Sequence, residues 1–276
     1  MSIASPPRRI PRRFVGVVVS SLAAAALTGC ANPRDQFGKT WYIDGAGNWG
    51  FGVVESVTGF ERAGYPGVVE NYRWSVTLMP ALDQTLRFIA RGAGERLGGI
   101  ISDYLQANPG AEANIIALSA GTGVGIWAIE NVRAPHKVNN YVMLGSSLSS
   151  RYDASRALAK MKGKIYVYYS ASDPVLAGPV QALGTIDGEF GSAAGQVGLR
   201  GPALASGRIV NIGWSSRYER YGWYGGHTDA TSEAMMEHEI APKIVSAEIM
   251  RGRQGRPSTD GTRVSLADRE LAVTPR

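Results

Sequence analysis

A serine between an apolar run and several small residues is the feature with the clearest chemical potential. The chain reads Ala117-Leu118-Ser119-Ala120-Gly121, and the apolar run before the serine is typical of a buried strand. A serine on a sharp strand-to-helix turn is held in a strained conformation that exposes its hydroxyl, and only small neighbours fit there. Ala117 and Gly121 meet that need, although glycine is usual at the first position. The segment predicts a nucleophilic Ser119, and the alternative is a serine that only caps the following helix.

A serine hydroxyl becomes a good nucleophile only when a neighbouring base takes its proton, and histidine is the usual base. The chain has three histidines. His136 lies in a turn before a predicted strand, and His238 lies inside the predicted closing helix. His227 follows the last predicted strand in a glycine-rich loop, where open α/β sheets bind their ligands. We therefore predict that His227 is the base and that the other two histidines are not.

The base in turn needs a carboxylate that fixes its tautomer. Asp173 lies between Ser119 and His227 in the chain and directly follows a predicted strand. Pro174 disfavours helical geometry at Asp173, which could hold the carboxylate in a turn. Asp187 and Glu189 lie further on, inside an irregular stretch. We predict that Asp173 is the acid, and the alternative is an aspartate that serves only its own turn.

The elements that must position these residues alternate between strands and helices along the chain. Period-2 and short apolar runs predict strands, and helical spacing of apolar residues predicts helices. Such alternation predicts an α/β fold with a mainly parallel sheet and helices on both faces. The predicted strands are 40–43, 68–74, the run before Ser119, 138–144, 164–169 and 208–214, and the predicted helices end near 60 or span 82–105, 121–132, 154–161 and 233–249, the last broken at Pro242.

Two regions depart from this alternation. Residues 177–206 are glycine-rich and irregular, which is long for a connection and indicates either a mobile lid or a packed insertion. Residues 250–276 are rich in Arg, Gly, Ser and Thr and have few large apolar side chains. A segment of this composition cannot bury enough apolar surface to fold, so we predict a disordered tail.

The N-terminus carries a predicted export signal. Four arginines precede an apolar run at 14–27, which is too short to span a bilayer as a helix of about 20 residues. The run ends in Leu27-Thr28-Gly29-Cys30, which resembles the lipobox of bacterial lipoproteins. The resemblance implies a signal peptide over 1–29, a lipidated Cys30 and a spacer over 30–39. The alternative is an ordinary signal peptide with an incidental cysteine.

The lipobox resemblance also implies a location. The protein would be lipid-anchored in the bacterial cell envelope, and Ala31 after the cysteine favours the periplasmic side of the outer membrane over the inner membrane. Arg12-Arg13-Phe14-Val15 faintly resembles a twin-arginine signal, so the export route stays open.

The formal net charge of +6 does not indicate an acidic partner. Removal of residues 1–29 takes away four arginines and no acid, which leaves +2, and the tail over 250–276 has six arginines against three acids. The remaining body is therefore close to neutral. We expect no nucleic-acid partner.

The order Ser119, Asp173, His227, each after a predicted strand, resembles that of the α/β-hydrolase superfamily. The resemblance covers about 41–245 of a predicted domain over 40–249 and implies that these residues are nucleophile, acid and base. By the same resemblance, the backbone N–H groups of Ala120 and of Ala46, after the first strand, would form the oxyanion hole. The family often has His-Gly in that loop, where this chain has Asp44-Gly45.

Two other site types were considered from the residues. His227, Asp229 and His238 fit no familiar zinc spacing. The glycines at 121, 123 and 125 follow a strand, as in dinucleotide-binding loops, but match only the looser alanine variant of G-x-G-x-x-G. We therefore expect no metal and no cofactor.

Together these observations predict a lipid-anchored serine hydrolase that cleaves carboxylic esters through an acyl-enzyme. Its substrate would be a small-molecule or lipid ester, and its membrane contact would be the N-terminal lipid. Two alternatives stay open: a catalytically silent envelope protein that uses the fold to bind a ligand, and an acyltransferase with the same triad.

Overall fold

The computed structural model describes residues 32–251, within which six parallel strands form one sheet. The strand order is β2-β1-β3-β4-β5-β6, so the sheet grows outward from β1 in both directions. Because every neighbouring pair is parallel, the carboxyl ends of all six strands meet at one edge. The strands are β1 (Lys39–Ile43), β2 (Val68–Asn71), β3 (Ala113–Leu118), β4 (Asn140–Leu144), β5 (Ile165–Tyr169) and β6 (Ile209–Gly213).

Helices and helical turns connect these strands. The α-helices are α1 (Val53–Arg62), α2 (Pro80–Thr85), α3 (Arg87–Ala107), α4 (Gly121–Glu130), α5 (Ser155–Ala159), α6 (Gln181–Leu183), α7 (Ala194–Val197), α8 (Glu233–Met235), α9 (Ala241–Ile244) and α10 (Ala247–Arg251). Two π turns, Leu176–Val180 and Met236–Ile240, and four 3₁₀ turns, Asp35–Phe37, Pro202–Ser206, Ser216–Tyr221 and Asp229–Thr231, complete the described elements.

Apolar cores lie on both faces of the sheet. Side chains alternate across β3, so Ile115 belongs to the core under α3 and α4, whereas Ile116 belongs to the core under α1 and α8. All six residues of β3 are buried, as expected of a central parallel strand covered on both sides. The predicted fold class, an α/β fold with a parallel sheet and helices on both faces, is confirmed.

Helix α4 is buried over residues 121–129, and its glycines serve packing. A Cβ on Gly123 would lie 2.8 Å from Ile186, and one on Gly125 would lie 2.6 Å from Tyr141 Oη. Both glycines thus allow close approach of buried side chains. This explains the glycine run, which had also suggested a dinucleotide-binding loop.

Three predicted elements differ in extent from the structure. The predicted helix over 82–105 is two helices, because Leu86, with φ −82° and ψ 62°, breaks the chain between α2 and α3. The predicted strand over 68–74 ends at Asn71, and Trp74 instead donates its indole N–H to Asp44 O at 2.8 Å. The predicted helix over 233–249 continues through Pro242 as a π turn followed by α9, and its break comes at Val245, whose backbone is extended at φ −93° and ψ 131°.

The irregular stretch over 177–206 contains helical turns and contributes to the core. Ile186, Ala194 and Leu199 within it are fully buried. Such burial fits the packed-insertion alternative from Ile186 onward, whereas Pro179, Val180 and Leu183 line a cavity described below.

Several predictions concern the chain's ends. Helix α10 extends two residues into the predicted tail over 250–276. The rest of the tail, the predicted signal peptide and Cys30 lie outside the described residues. Among residues 32–251, no helix has the length and apolar character required to cross a membrane.

Candidate active site

Ser119 occupies the sharp turn between β3 and α4. Its φ is +50°, a left-handed conformation that is uncommon for a residue with a side chain. Its N–H donates to Leu144 O at 2.9 Å, and its carbonyl accepts from Thr122 N at 3.0 Å, so the turn is held from both sides. A Cβ on Gly121 would lie 2.7 Å from Ile43 O, which explains the glycine two residues after the serine. The sequence therefore produces the strained strand-to-helix turn that its small residues predict.

Asp173 and His227 are hydrogen-bonded to each other across 54 positions of sequence. His227 Nδ1 lies 2.7 Å from Asp173 Oδ2, and the aspartate is almost completely buried. The other carboxylate oxygen, Oδ1, accepts from Val175 N at 2.9 Å and from Leu176 N at 3.1 Å. Asp173 therefore caps the helical turns that follow it and holds the imidazole at the same time. One carboxylate thus makes both the contact with its own turn and the contact with His227.

Two residues that sequence reasoning did not select hold the His227 loop in place. Gly145 follows β4 with φ +47°, and a Cβ there would lie 2.9 Å from His227 O and 3.2 Å from its Nδ1. Asp229 Oδ2 accepts from Gly226 N at 2.9 Å and Tyr224 N at 3.2 Å. The position of Gly145 directly after a predicted strand is the one feature of the sequence that could have pointed to it. Both residues act by fixing where the imidazole can lie.

Ser119 and His227 line the same cavity, which has a volume of about 480 Å³. Within the described chain no hydrogen bond joins the two side chains; in hydrolases this bond often tightens only when substrate binds. The remaining lining is largely apolar and comprises Gly45, Ala46, Trp49, Phe51, Pro80, Ala81, Gln84, Leu118, Val175, Pro179, Val180, Leu183 and Thr228. None of these side chains is charged, so the cavity suits a neutral, apolar ligand.

Two backbone N–H groups near Ser119 lack a hydrogen-bond acceptor in the described part of the chain. Ala120 directly follows the serine, and Ala46 lines the cavity. These are the two N–H groups that the sequence resemblance implies for an oxyanion hole.

Buried carboxylates hold the loop that carries Ala46. Asp44 Oδ1 accepts from Gly45 N at 2.7 Å, and Asp44 Oδ2 accepts from Gly50 N at 2.6 Å. Burial raises the pKa of Asp44, and the backbone N–H groups of Gly50 and Gly45 partly offset that rise. Asp83 accepts from Gly47 N and from Thr77 Oγ1, each at 2.7 Å. Sequence reasoning did not select Asp83, because nothing local distinguishes it from an ordinary helix residue.

The other residues weighed from the sequence do not line this cavity. His136 lies in the turn before β4 beside Lys137, and His238 is exposed next to Tyr221. Asp187 Oδ1 accepts from Ser149 N at 2.8 Å and so holds a loop. Among residues 32–251, no group of three His, Cys, Asp or Glu side chains is arranged to bind a metal ion.

Comparisons with known proteins add little to this geometry. No protein-family model and no curated protein matches the sequence. Among solved structures, the chain is similar to an acetylxylan esterase, with 11% sequence identity and a TM-score of 0.38. The match covers 79% of this chain and 98% of the esterase chain. A likeness this low carries no inference about function, which therefore rests on the site itself.

Proposed function

We propose that this protein is a serine hydrolase that cleaves carboxylic esters, with Ser119 as nucleophile, His227 as base and Asp173 as the acid that orients it. One observation carries the proposal: the 2.7 Å pairing of His227 Nδ1 with Asp173 Oδ2, in a cavity that His227 shares with a serine of positive φ. A serine, a histidine and a buried carboxylate in this relation form the usual machinery of acyl transfer.

The proposed reaction has two halves. In the first, His227 Nε2 takes the proton from Ser119 Oγ as the oxygen attacks the ester carbonyl, and then returns that proton to the departing alcohol. In the second, His227 takes a proton from water as the water oxygen attacks the acyl carbon, and it returns that proton to Ser119 Oγ as the bond between Oγ and the acyl carbon breaks and the carboxylic acid leaves. Asp173 keeps the Nδ1–H tautomer, so that Nε2 is free to accept a proton in each half.

The negative charge that develops on the carbonyl oxygen needs hydrogen-bond donors. The N–H groups of Ala120 and Ala46 have no acceptor within residues 32–251 and could supply two such bonds. Removal of a single donor of this kind costs about 3 to 4 kcal/mol of transition-state stabilisation. The buried side chain of Asp44 supports this arrangement by fixing both ends of the loop that carries Ala46.

Steady-state turnover of a soluble ester such as 4-nitrophenyl butyrate tests the proposal. Ser119→Ala and His227→Ala should each lower kcat by about 10⁴-fold or more, because the triad acts as a unit. His136→Ala and His238→Ala are the matched controls and should keep wild-type turnover. Wild-type rates in Ser119→Ala would contradict the proposal.

Product analysis with added alcohols separates hydrolysis from transfer. Transfer to water should give the free acid as the main product, whereas an acyltransferase would give the new ester. A folded protein that turns over no ester in a graded acyl-length screen would favour a silent binding protein.

We also propose that Cys30 is lipidated and that the protein is anchored at the periplasmic side of the bacterial outer membrane. The support is the sequence alone, since these residues lie outside the described part of the chain: Leu27-Thr28-Gly29-Cys30 resembles a lipobox, and Ala31 after the cysteine favours the outer membrane. Mass spectrometry of the mature N-terminus should show acyl chains on Cys30. Cys30→Ala should yield an unacylated precursor or a soluble product, and an unmodified, membrane-free wild-type protein would contradict this proposal.

A further inference from the structure

Five large apolar side chains are exposed on two loops that flank the mouth of the Ser119 cavity. They are Trp49, Phe51, Val76, Leu78 and Met79, and their exposed fractions range from 47% for Phe51 to 79% for Val76. We call this set the collar. Two of its members, Trp49 and Phe51, also line the cavity, as do Pro80 and Ala81 just after Met79. The collar is therefore continuous with the apolar lining that leads to the serine.

Charge is sparse in the two loops that carry the collar: the loop between β1 and α1 has only the buried Asp44, and the loop between β2 and α2 has only Arg73, which is exposed ahead of Trp74. Residues 45–54 and 74–82 include no Asp, Glu, Lys or Arg. Contiguous exposed apolar surface is costly in water and normally marks a site of contact. A partner that covers the collar needs an apolar contact surface, because the five collar side chains themselves offer no charge to pair with.

Leu78 adds an independent observation, because its backbone is strained where its side chain is exposed. Its φ is +56°, in the left-handed region that glycine and asparagine occupy at lower cost than a leucine. Its side chain is 58% exposed, so packing offsets little of that strain. Strain of this kind persists only where the surrounding structure imposes it, and such positions cluster at functional sites. A leucine held outward in this way is suited to enter an apolar phase.

The two loops are joined into one preformed surface. Trp49 Nε1 donates to Leu78 O at 3.2 Å, and Asn48 Nδ2 donates to Ser75 O at 3.4 Å. Beneath them, buried Asp83 accepts from Gly47 N of one loop and from Thr77 Oγ1 of the other. The collar is therefore assembled by hydrogen bonds within the fold, and its ordering does not have to be supplied by a partner.

We propose that the collar docks the protein on an uncharged lipid surface, from which an ester with a long apolar acyl chain enters the cavity at Ser119. This inference rests on the proposed function, whose substrate class it names. The continuity of the collar with the cavity lining favours this occupant. Both surfaces are apolar, so a lipid that covers the collar is of the same chemical kind as an acyl chain that fills the cavity. Because no collar residue is charged, lipid charge should have little effect on the docking.

The test compares two esters of one fluorophore with the full chain. One is 4-methylumbelliferyl oleate held in phosphatidylcholine vesicles, and the other is 4-methylumbelliferyl butyrate in solution. Leu78→Asn removes the apolar side chain and places at this position a residue that tolerates positive φ. The oleate-to-butyrate rate ratio should fall about tenfold or more, since a leucine side chain no longer enters the lipid. The melting temperature should stay the same or rise.

Leu204→Asn is the matched control, because Leu204 is also an exposed leucine but lies outside the collar. Its rate ratio should stay within about twofold of wild type. Added phosphatidylglycerol or added salt should leave the wild-type ratio unchanged, as expected of an uncharged collar. A merely structural role of Leu78 would lower the melting temperature and both rates together, with no change in the ratio.

Failure of the docking inference and failure of the proposed function give different results. If Leu78→Asn keeps the wild-type ratio while Ser119→Ala abolishes butyrate turnover, the protein is an esterase and the docking inference is wrong. If no ester is turned over, docking can still be tested by flotation of the Ser119→Ala protein with phosphatidylcholine vesicles. Addition of Leu78→Asn to that protein should reduce the fraction that floats with the vesicles. A dimer in sedimentation that Leu78→Asn dissociates, with no vesicle effect, would show that a second copy covers the collar.

Discussion

Replacement of Asp173 by asparagine should separate its two structural roles. In wild type, Oδ1 accepts from the N–H groups of Val175 and Leu176, and Oδ2 holds His227 Nδ1. Asparagine has one oxygen and one NH₂ group. The two backbone N–H groups need an acceptor, so the amide oxygen should take the Oδ1 position and the NH₂ group should face His227.

This orientation has a calculable consequence for the imidazole. An NH₂ group facing Nδ1 donates to it, which selects the tautomer with the proton on Nε2. That nitrogen then cannot accept the Ser119 proton. In a serine hydrolase the wrong tautomer costs about 10⁴-fold in kcat. The fold should be nearly unaffected, because asparagine caps helices about as well as aspartate and both hydrogen bonds from Val175 and Leu176 remain.

The assay is kcat on a soluble ester together with the melting temperature. Asp173→Asn should lose about 10⁴-fold in kcat at a nearly unchanged melting temperature. Asp173→Ala should lose both, since removal of a helix cap costs about 0.5 to 2 kcal/mol of stability. Asp187→Asn is the control and should be near wild type in kcat. Turnover of Asp173→Asn within tenfold of wild type would refute this account of Asp173.

Other residues around the site give further predictions. Gly145→Ala places a Cβ 2.9 Å from His227 O, at a backbone φ of +47° that alanine rarely adopts. The value of kcat on a soluble ester should therefore fall at least tenfold, and the free energy of unfolding measured with urea should fall by about 1 to 2 kcal/mol. Asp44→Asn should lower kcat more than Asp83→Asn. Both oxygens of Asp44 accept from backbone N–H groups, so an amide there loses one of the two hydrogen bonds. An amide at position 83 can still accept from Gly47 N and donate to Thr77 Oγ1, and equal losses of kcat in the two variants would contradict this reasoning. Burial raises the pKa of Asp44, so its contribution to stability is fully present below the ordinary aspartate pKa and is lost as pH rises through the raised value. Denaturant midpoints from about pH 3 to 7 should therefore show wild type losing stability relative to Asp44→Asn as pH rises, and the opposite trend would contradict the burial argument.

The fold class could be predicted from the sequence because its signals are local. Apolar runs such as Ile115-Ile116 mark a strand buried on both faces, and the small residues around Ser119 mark a sharp turn. Chain order then selected Asp173 and His227, and the structure places the two side chains in contact. Their catalytic roles stay predictions.

Contacts between distant parts of the chain could not be predicted in this way. Gly145 matters because His227, far along the chain, packs against it, and Asp83 matters because it joins two loops. The break at Leu86 has no glycine or proline to mark it. Ile186 and Leu199 are isolated apolar residues without periodicity, so only the folded chain shows that they are buried.

Covalent labelling tests the central claim most directly. A fluorophosphonate reacts with a serine whose proton a neighbouring base removes, so peptide mass spectrometry of the labelled protein should find the adduct on Ser119. Labelling should be lost in Ser119→Ala, strongly slowed in His227→Ala and unchanged in His136→Ala. An adduct on a different serine, or a folded wild-type protein that takes up no label, would contradict the assignment of Ser119 as an activated nucleophile.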